Sequence, residues 1–272
     1  MLLKRTVLAF ASMVAMLVPT YAVSDSGLKA VTAGANVETV KAQIKAFTDS
    51  LSAGQRAQIK AVLDANKPAK KSLTPGVKPS LQQLQAEGAQ TDAWIKQVNA
   101  GIEAVLNQSQ VSAFRASLPE GRKVQQFTGS GYCYDAWYYE YYYVYEYYAY
   151  YAYYYAYYHN LYYGAAGYGP GYDTAALDAL STAINAWNNS FVAATYSYYA
   201  YAVSQSTYGH SAWEHTDYTT SISSAVSSLA YLGYYWYGDG YGYDAYVYAY
   251  YADYYSGYNA AEYYAYYCAA GD

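Results

Sequence analysis

Residues 132–163 read YCYDAWYYEYYYVYEYYAYYAYYYAYYHNLYY, 32 residues with neither glycine nor proline. Tyrosine favours strands, so this run decides between the two regular structures. Strands average about 5–6 residues and need turns between them, and no turn residue interrupts this stretch. Small residues recur at helical steps: Val144, Ala149, Ala152 and Ala156, with Asn160 one turn on. A helix is expected, whose small-residue stripe lets a neighbour approach while the rings flank the seam. The run Gly164-Ala-Ala-Gly-Tyr-Gly-Pro-Gly171 ends it.

Three more segments follow. From Tyr172 to Tyr208, Leu177, Leu180, Ile184, Trp187, Phe191 and Ala194 share one face, behind an N-cap at Asp173-Thr174. Gly209 closes that segment. From His210 to Leu232, Ser211-Ala-Trp-Glu214 has the form of a capping box, and Ile222, Val226, Leu229 and Leu232 supply the apolar stripe. Gly233 to Gly242 reads as a loop. From Tyr243 to about Ala270 the small stripe returns at Ala245, Ala249, Ala252, Ser256 and Ala260. The chain is therefore expected to be all-α, with a tyrosine- and alanine-rich four-helix bundle over 132–272. In an up-down-up-down bundle the start of the first helix and the end of the fourth share one end. Cys133 and Cys268, the two cysteines of the chain, bracket the segment. A disulfide between them is expected and suits an oxidising compartment. The alternative, a pair of ligands for a soft metal, has no His or Met beside either cysteine in sequence.

Composition breaks sharply just before this run. Tyr21 aside, the other 44 of the 45 tyrosines fall between Tyr132 and Tyr267. Lys123 is the last basic residue. Val23 to Gly131 holds 13 Lys/Arg and 8 Asp/Glu, a net of +5, whereas Tyr132 onward holds 12 Asp/Glu and no Lys/Arg, a net of −12. Two modules are expected, 23–127 and 132–272, joined at 128–131 by Thr128-Gly-Ser-Gly131. The acidic half repels nucleic acid and anionic membrane, and the basic half is too mildly charged to read as a nucleic-acid binder.

The start of the chain reads as an export signal over 1–22. Lys4-Arg5 precedes an apolar run from Thr6 to Val18, and Tyr21-Ala22 offers a small residue for cleavage after Ala22. The run is shorter than the about 20 apolar residues of a membrane span, so an anchor is the lesser alternative. A periplasmic or secreted protein with no membrane span after cleavage is expected.

The basic module reads as short capped helices. Val37, Val40, Ile44, Phe47 and Leu51 form one stripe. Ser52-Ala-Gly-Gln55 is a capping box ahead of Ile59, Val62 and Leu63. A Pro/Lys linker runs from Lys67 to Pro79. Ser80-Leu-Gln-Gln83 opens a longer helix through Leu84, Thr91, Ile95, Val98, Ile102 and Val105. Asn107-Gln-Ser-Gln110 is a third cap, with Leu106 and Val111 placed as a hydrophobic staple.

Leu51-Ser-Ala-Gly-Gln55 and Leu106-Asn-Gln-Ser-Gln110 resemble the paired Leu-Thr-x-x-Gln motifs of periplasmic Spy/CpxP-like proteins. The resemblance covers about residues 37–118. Through Leu51, Ser52, Gln55, Leu106, Asn107 and Gln110 it implies a small helical module with links to envelope stress and chaperone activity. Ser or Asn replaces the motif's Thr. Neither His nor Met occurs here after the signal, so the metal sensing of some members does not carry over.

Function is narrowed mostly by what the acidic half lacks. It has no Lys or Arg to hold an oxyanion, no nucleophile elbow, no phosphate-binding glycine loop and no zinc pattern. No catalytic residue, cofactor or metal is expected. His210, Glu214 and His215 are the weak candidates for a small polar or metal site. Large aromatic surface marks interaction or assembly, and the rings expected to supply it are Tyr138, Tyr142, Tyr145, Tyr148, Tyr151, Tyr155, Tyr250, Tyr254, Tyr263 and Tyr266. The expectation is a non-enzymatic interaction protein that presents an aromatic, acidic surface to a protein or polymer ligand, or to its own copies. The alternatives are a tyrosine-rich substrate for oxidation or cross-linking, and a stress- or chaperone-like adaptor.

Overall fold

The computed structural model describes residues 36–66, 81–119, 132–167, 174–203, 206–238 and 240–257. All belong to one compact unit, Thr32–Asp272. The expected signal, the Pro/Lys linker, the cap at Ser80, the joint 128–131 and the end of the last segment lie outside the described residues.

The described residues are all-α. Four helices come first: α1 (Val37–Asp49), α2 (Ala53–Ala65), α3 (Leu81–Glu103) and α4 (Gln108–Ala116). Next is one continuous rod made of α5 (Tyr132–Tyr138), a π-helix (Tyr139–Ala149) and α6 (Tyr150–Ala165). The chain continues through α7 (Thr174–Val203), α8 (Ser206–Tyr237) and α9 (Gly240–Gly257). No described helix is long and apolar enough to cross a membrane.

Local chemistry explains the short helices. Asn36 caps α1 by accepting from the Thr39 N–H at 3.0 Å. Both expected capping boxes form, at Ser52/Gln55 and at Asn107/Gln110. The stripe Val40, Ile44, Phe47 and Leu51 is buried, and so are Ile59, Leu63, Ile95, Val98 and Ile102. Phe47 meets Phe114 at a centroid distance of 5.1 Å, tying α1 to α4.

The four long rods pack in cyclic order. The tyrosine rod lies against α7 and α9, and α8 completes the ring by packing on both. The apolar faces read from the sequence point inward: Leu180 and Ile184 on α7, and Ile222, Val226 and Leu229 on α8, are buried.

Three details differ from the sequence reading. Gly209 and Ser211 sit inside α8, so neither ends nor caps a helix; one interior glycine costs only about 1 kcal/mol. The expected loop 233–242 is a tight turn. The helix runs on to Tyr237, Gly238 takes φ +65, and its N–H closes on the Tyr234 carbonyl. Gly242 then lets α9 approach α8: a Cβ there would stand 3.1 Å from the Tyr234 backbone. The third detail is the π-helix, eleven residues long where single turns are usual. Seven of those residues are tyrosine.

The change in composition is not a break in packing. α1 and α2 lie on α6, and α3 lies against the π-helix. The Arg56 guanidinium donates to the Gly164 carbonyl at 2.7 Å and also reaches the Thr48 carbonyl. A cation there complements the negative end of the tyrosine rod. Thr91 pairs with the Tyr155 hydroxyl at 3.0 Å, the Tyr162 hydroxyl donates to Asn99 at 2.7 Å, and Trp94 meets Tyr241 at a tilt, 4.8 Å between centroids. The basic helices thus roof the side of the rod that α7 and α9 leave open.

Candidate functional site

The rings expected at the surface divide into two groups. Tyr142, Tyr148, Tyr151 and Tyr155 are buried, and Tyr138 and Tyr145 are half-buried. For these the expectation of a surface array is corrected. A helix that is apolar all round belongs in a core, and this one is enclosed by α7, α9 and the basic helices. Every residue from Tyr150 to Tyr162 is buried. Tyr250 and Tyr254 are exposed as expected, and Tyr263 and Tyr266 lie outside the described residues.

Inside, the rings form a continuous network. Tyr150, Tyr154, Tyr158 and Tyr162 follow one another at centroid distances of 5.2, 4.7 and 4.8 Å. Trp187 of α7 lies parallel to Tyr153 at 5.0 Å, and Tyr148 lies parallel to Tyr255 of α9 at 5.1 Å. Offset and edge-on pairs of this kind contribute about 0.5–1.5 kcal/mol each beyond burial. Burial holds the phenols in their neutral form. Desolvation, with smaller contributions from neighbouring groups, pushes Tyr143 and Tyr145 up to about 12, and raises Tyr148, Tyr154 and Tyr162 as well.

Among the described residues the exposed large aromatics are Tyr231, Tyr235, Trp236, Tyr250 and Tyr254, all on the α8–α9 hairpin. Tyr235 is 71% and Trp236 61% exposed. Half-buried rings brace them: Tyr231 meets Tyr246 at 5.4 Å, and Tyr234 meets Tyr243 at 5.3 Å. The sequence reading missed Tyr231, Tyr235 and Trp236, although a signal was present. Glu214, Asp217, Ser221, Ser224, Ser228, Tyr231 and Tyr235 recur at steps of 3 and 4, and all are exposed. Extending the polar phase of α8 past Ser228 lands on two tyrosines. On α9, Tyr243, Tyr246, Tyr250 and Tyr254 follow the same rhythm.

The histidine candidates do not converge. His210 and Glu214 are both exposed, 3.9 Å apart. His215 turns instead toward α7, with Nδ1 3.3 Å from Asn189 Oδ1 and its ring stacked on Tyr196. Burial holds it below the usual imidazole range, with Glu214 opposing. Among the described residues no cluster of three or more His, Cys, Asp or Glu could hold a metal ion.

The motif residues do converge. Gln55 and Gln110 donate to each other's side-chain oxygens at 2.6 and 3.2 Å. Each also reaches the other motif's approach: Gln55 donates to the Val105 carbonyl at 3.2 Å and Gln110 to the Ser50 carbonyl at 2.9 Å. Those carbonyls lie two residues before the caps Asn107 and Ser52, so the pair is related by a local pseudo-twofold.

Cys133 is half-buried near the start of α5, and Cys268 lies outside the described residues. Glu140, which the sequence reading passed over, is fully buried in the π-helix. Comparison with protein families, curated proteins and solved structures finds no match to this chain.

Proposed function

We propose that this is an exported, non-enzymatic interaction protein whose binding face is the outer, aromatic face of the α8–α9 hairpin. One observation carries the reading. The fold buries tyrosine along a whole rod, yet leaves Tyr231, Tyr235, Trp236, Tyr250 and Tyr254 in solvent on one hairpin. Exposed aromatic surface costs solubility and marks contact sites, and tyrosine and tryptophan give contact area with few torsions to freeze. The tyrosine core supplies rigidity, and the basic helices close its open side. A Cys133–Cys268 disulfide belongs to the same proposal, as does cleavage after Ala22. Among the described residues there is no free cysteine, which supports the pairing.

The test is a photo-crosslinking residue placed at Tyr235 in the full chain, expressed in its own envelope. A discrete adduct is expected at 235, with none from the same residue at exposed Ser112. No adduct at 235 after irradiation sinks the proposal.

Oxidation chemistry is the second reading, favoured by the ring network. Burial weighs against it, because a phenol that gives up an electron also sheds its proton. A buried ring sheds that proton only to a base within reach, and the charged radical left without one is costly in a dry core.

A further inference from the structure

We infer that the partner of this face is a cationic chain, one carrying lysine or arginine, held by ring faces at one end of a surface stripe and by carboxylates at the other. The inference rests on the hairpin being the interaction surface, and it names the chemistry of the occupant.

Three observations lead there. The first is charge. The segment from Tyr132 to Asp272 holds 12 carboxylates and no Lys or Arg; Glu140, Glu146 and Asp244 are buried, while Glu214 and Asp217 stand exposed on the hairpin. A polyanion is repelled by such a surface, and a polycation is drawn to it before any contact forms.

The second is arrangement. The outer face of α8 begins with exposed Glu214 and Asp217, continues through Ser221, Ser224 and Ser228, and ends at Tyr231 and Tyr235. Steps of 3 and 4 keep all seven on one line. At about 1.5 Å per residue the line runs roughly 30 Å from Glu214 to Tyr235. Tyr250 and Tyr254 of α9 are exposed further down the hairpin, beside the serine stretch: Tyr246 faces Tyr231, and Gly257 faces Thr220. An extended chain with spaced cations meets carboxylates first and ring faces further along.

The third is ring chemistry. Lysine and arginine are attracted to the faces of tryptophan and tyrosine, most strongly tryptophan. Tyr235 and Trp236 stand edge to face at 6.1 Å and are the two most exposed large aromatics described.

The test uses the purified full chain and three probes: poly-L-lysine, poly-L-glutamate and a neutral β-glucan. Binding is read by calorimetry at physiological ionic strength. Poly-L-lysine is expected to bind and the other two are not. Replacing Tyr235→Ser with Trp236→Ser leaves the charge unchanged and is expected to weaken binding about tenfold. Replacing Glu214→Gln with Asp217→Asn is expected to flatten the salt dependence. Far-ultraviolet circular dichroism checks that both variants keep the parent helicity. Poly-L-lysine affinity unchanged in the ring variant overturns the inference, because attraction to charge alone does not need the rings. Tighter binding of the glucan than of poly-L-lysine overturns it too, in favour of stacking on sugars. In either case an adduct at position 235 keeps the interaction face standing. Loss of both results removes the face and its partner together.

Discussion

Glu140 shows how far a single residue departs from its ordinary chemistry in this core. It lies in the π-helix with Ser256 of α9 beside it, and no Lys or Arg follows Lys123 in the chain. Burial pushes its carboxyl well above the usual range, and Ser256 offsets only part of that. The folded state therefore binds this proton more tightly than the unfolded chain does. Stability from this group is fully present below the unfolded value of about 4.3 and is lost as pH rises toward the folded value. Each pH unit in that window costs about 1.4 kcal/mol. Glu140→Gln keeps the shape and removes the titration. Its melting temperature is expected to exceed the parent's at pH 8 and to match it near pH 4. A difference between the two proteins that does not change with pH would refute this.

At the scale of elements, two loops hold the basic helices in register through the Gln55–Gln110 pair. Each glutamine closes its own capping box and satisfies a carbonyl of the other loop. Truncating either one leaves the partner amide short of bonds, at a cost of about 1–3 kcal/mol. Removing the second glutamine then costs less than removing the first. In urea denaturation, Gln55→Ala and Gln110→Ala are expected to couple by more than about 0.5 kcal/mol in a double-mutant cycle. Strict additivity would mean that the two caps act independently. The caps were legible in the sequence because a capping box is complete within four residues. Their pairing was not, because 55 residues separate the glutamines. The exposed phase of α8 was legible in principle, but its rhythm passes from carboxylate and serine into tyrosine, and tyrosine alone does not say which way it faces.

The molecule as a whole is built around one rod that neither half encloses alone. α7 and α9 cover two sides, and α1, α2 and α3 cover another through Arg56, Thr91, Trp94 and Asn99. A sharp border of composition thus falls within a single compact unit. The proposals of export, disulfide and unmodified tyrosine meet in one measurement, the intact mass of the protein recovered from its own envelope. The expected mass is that of residues 23–272 less two hydrogens, rising by two on reduction. Added oxygens, further missing hydrogens or covalent multimers would move oxidation chemistry ahead of the interaction reading.

By itself the sequence determined the helical class, the break after the tyrosine rod at Gly164, the two caps at Ser52 and Asn107, and the inward faces of α7 and α8. All of these follow from contacts within about a turn of the chain, where side-chain size, capping oxygens and the 3.6-residue period act directly. Only the tertiary structure decided which tyrosines are core and which are surface. A ring that fits either side of an interface takes its place from what packs over it. For the rod, the decisive cover is a layer of basic helices that the sequence presents as a separate part.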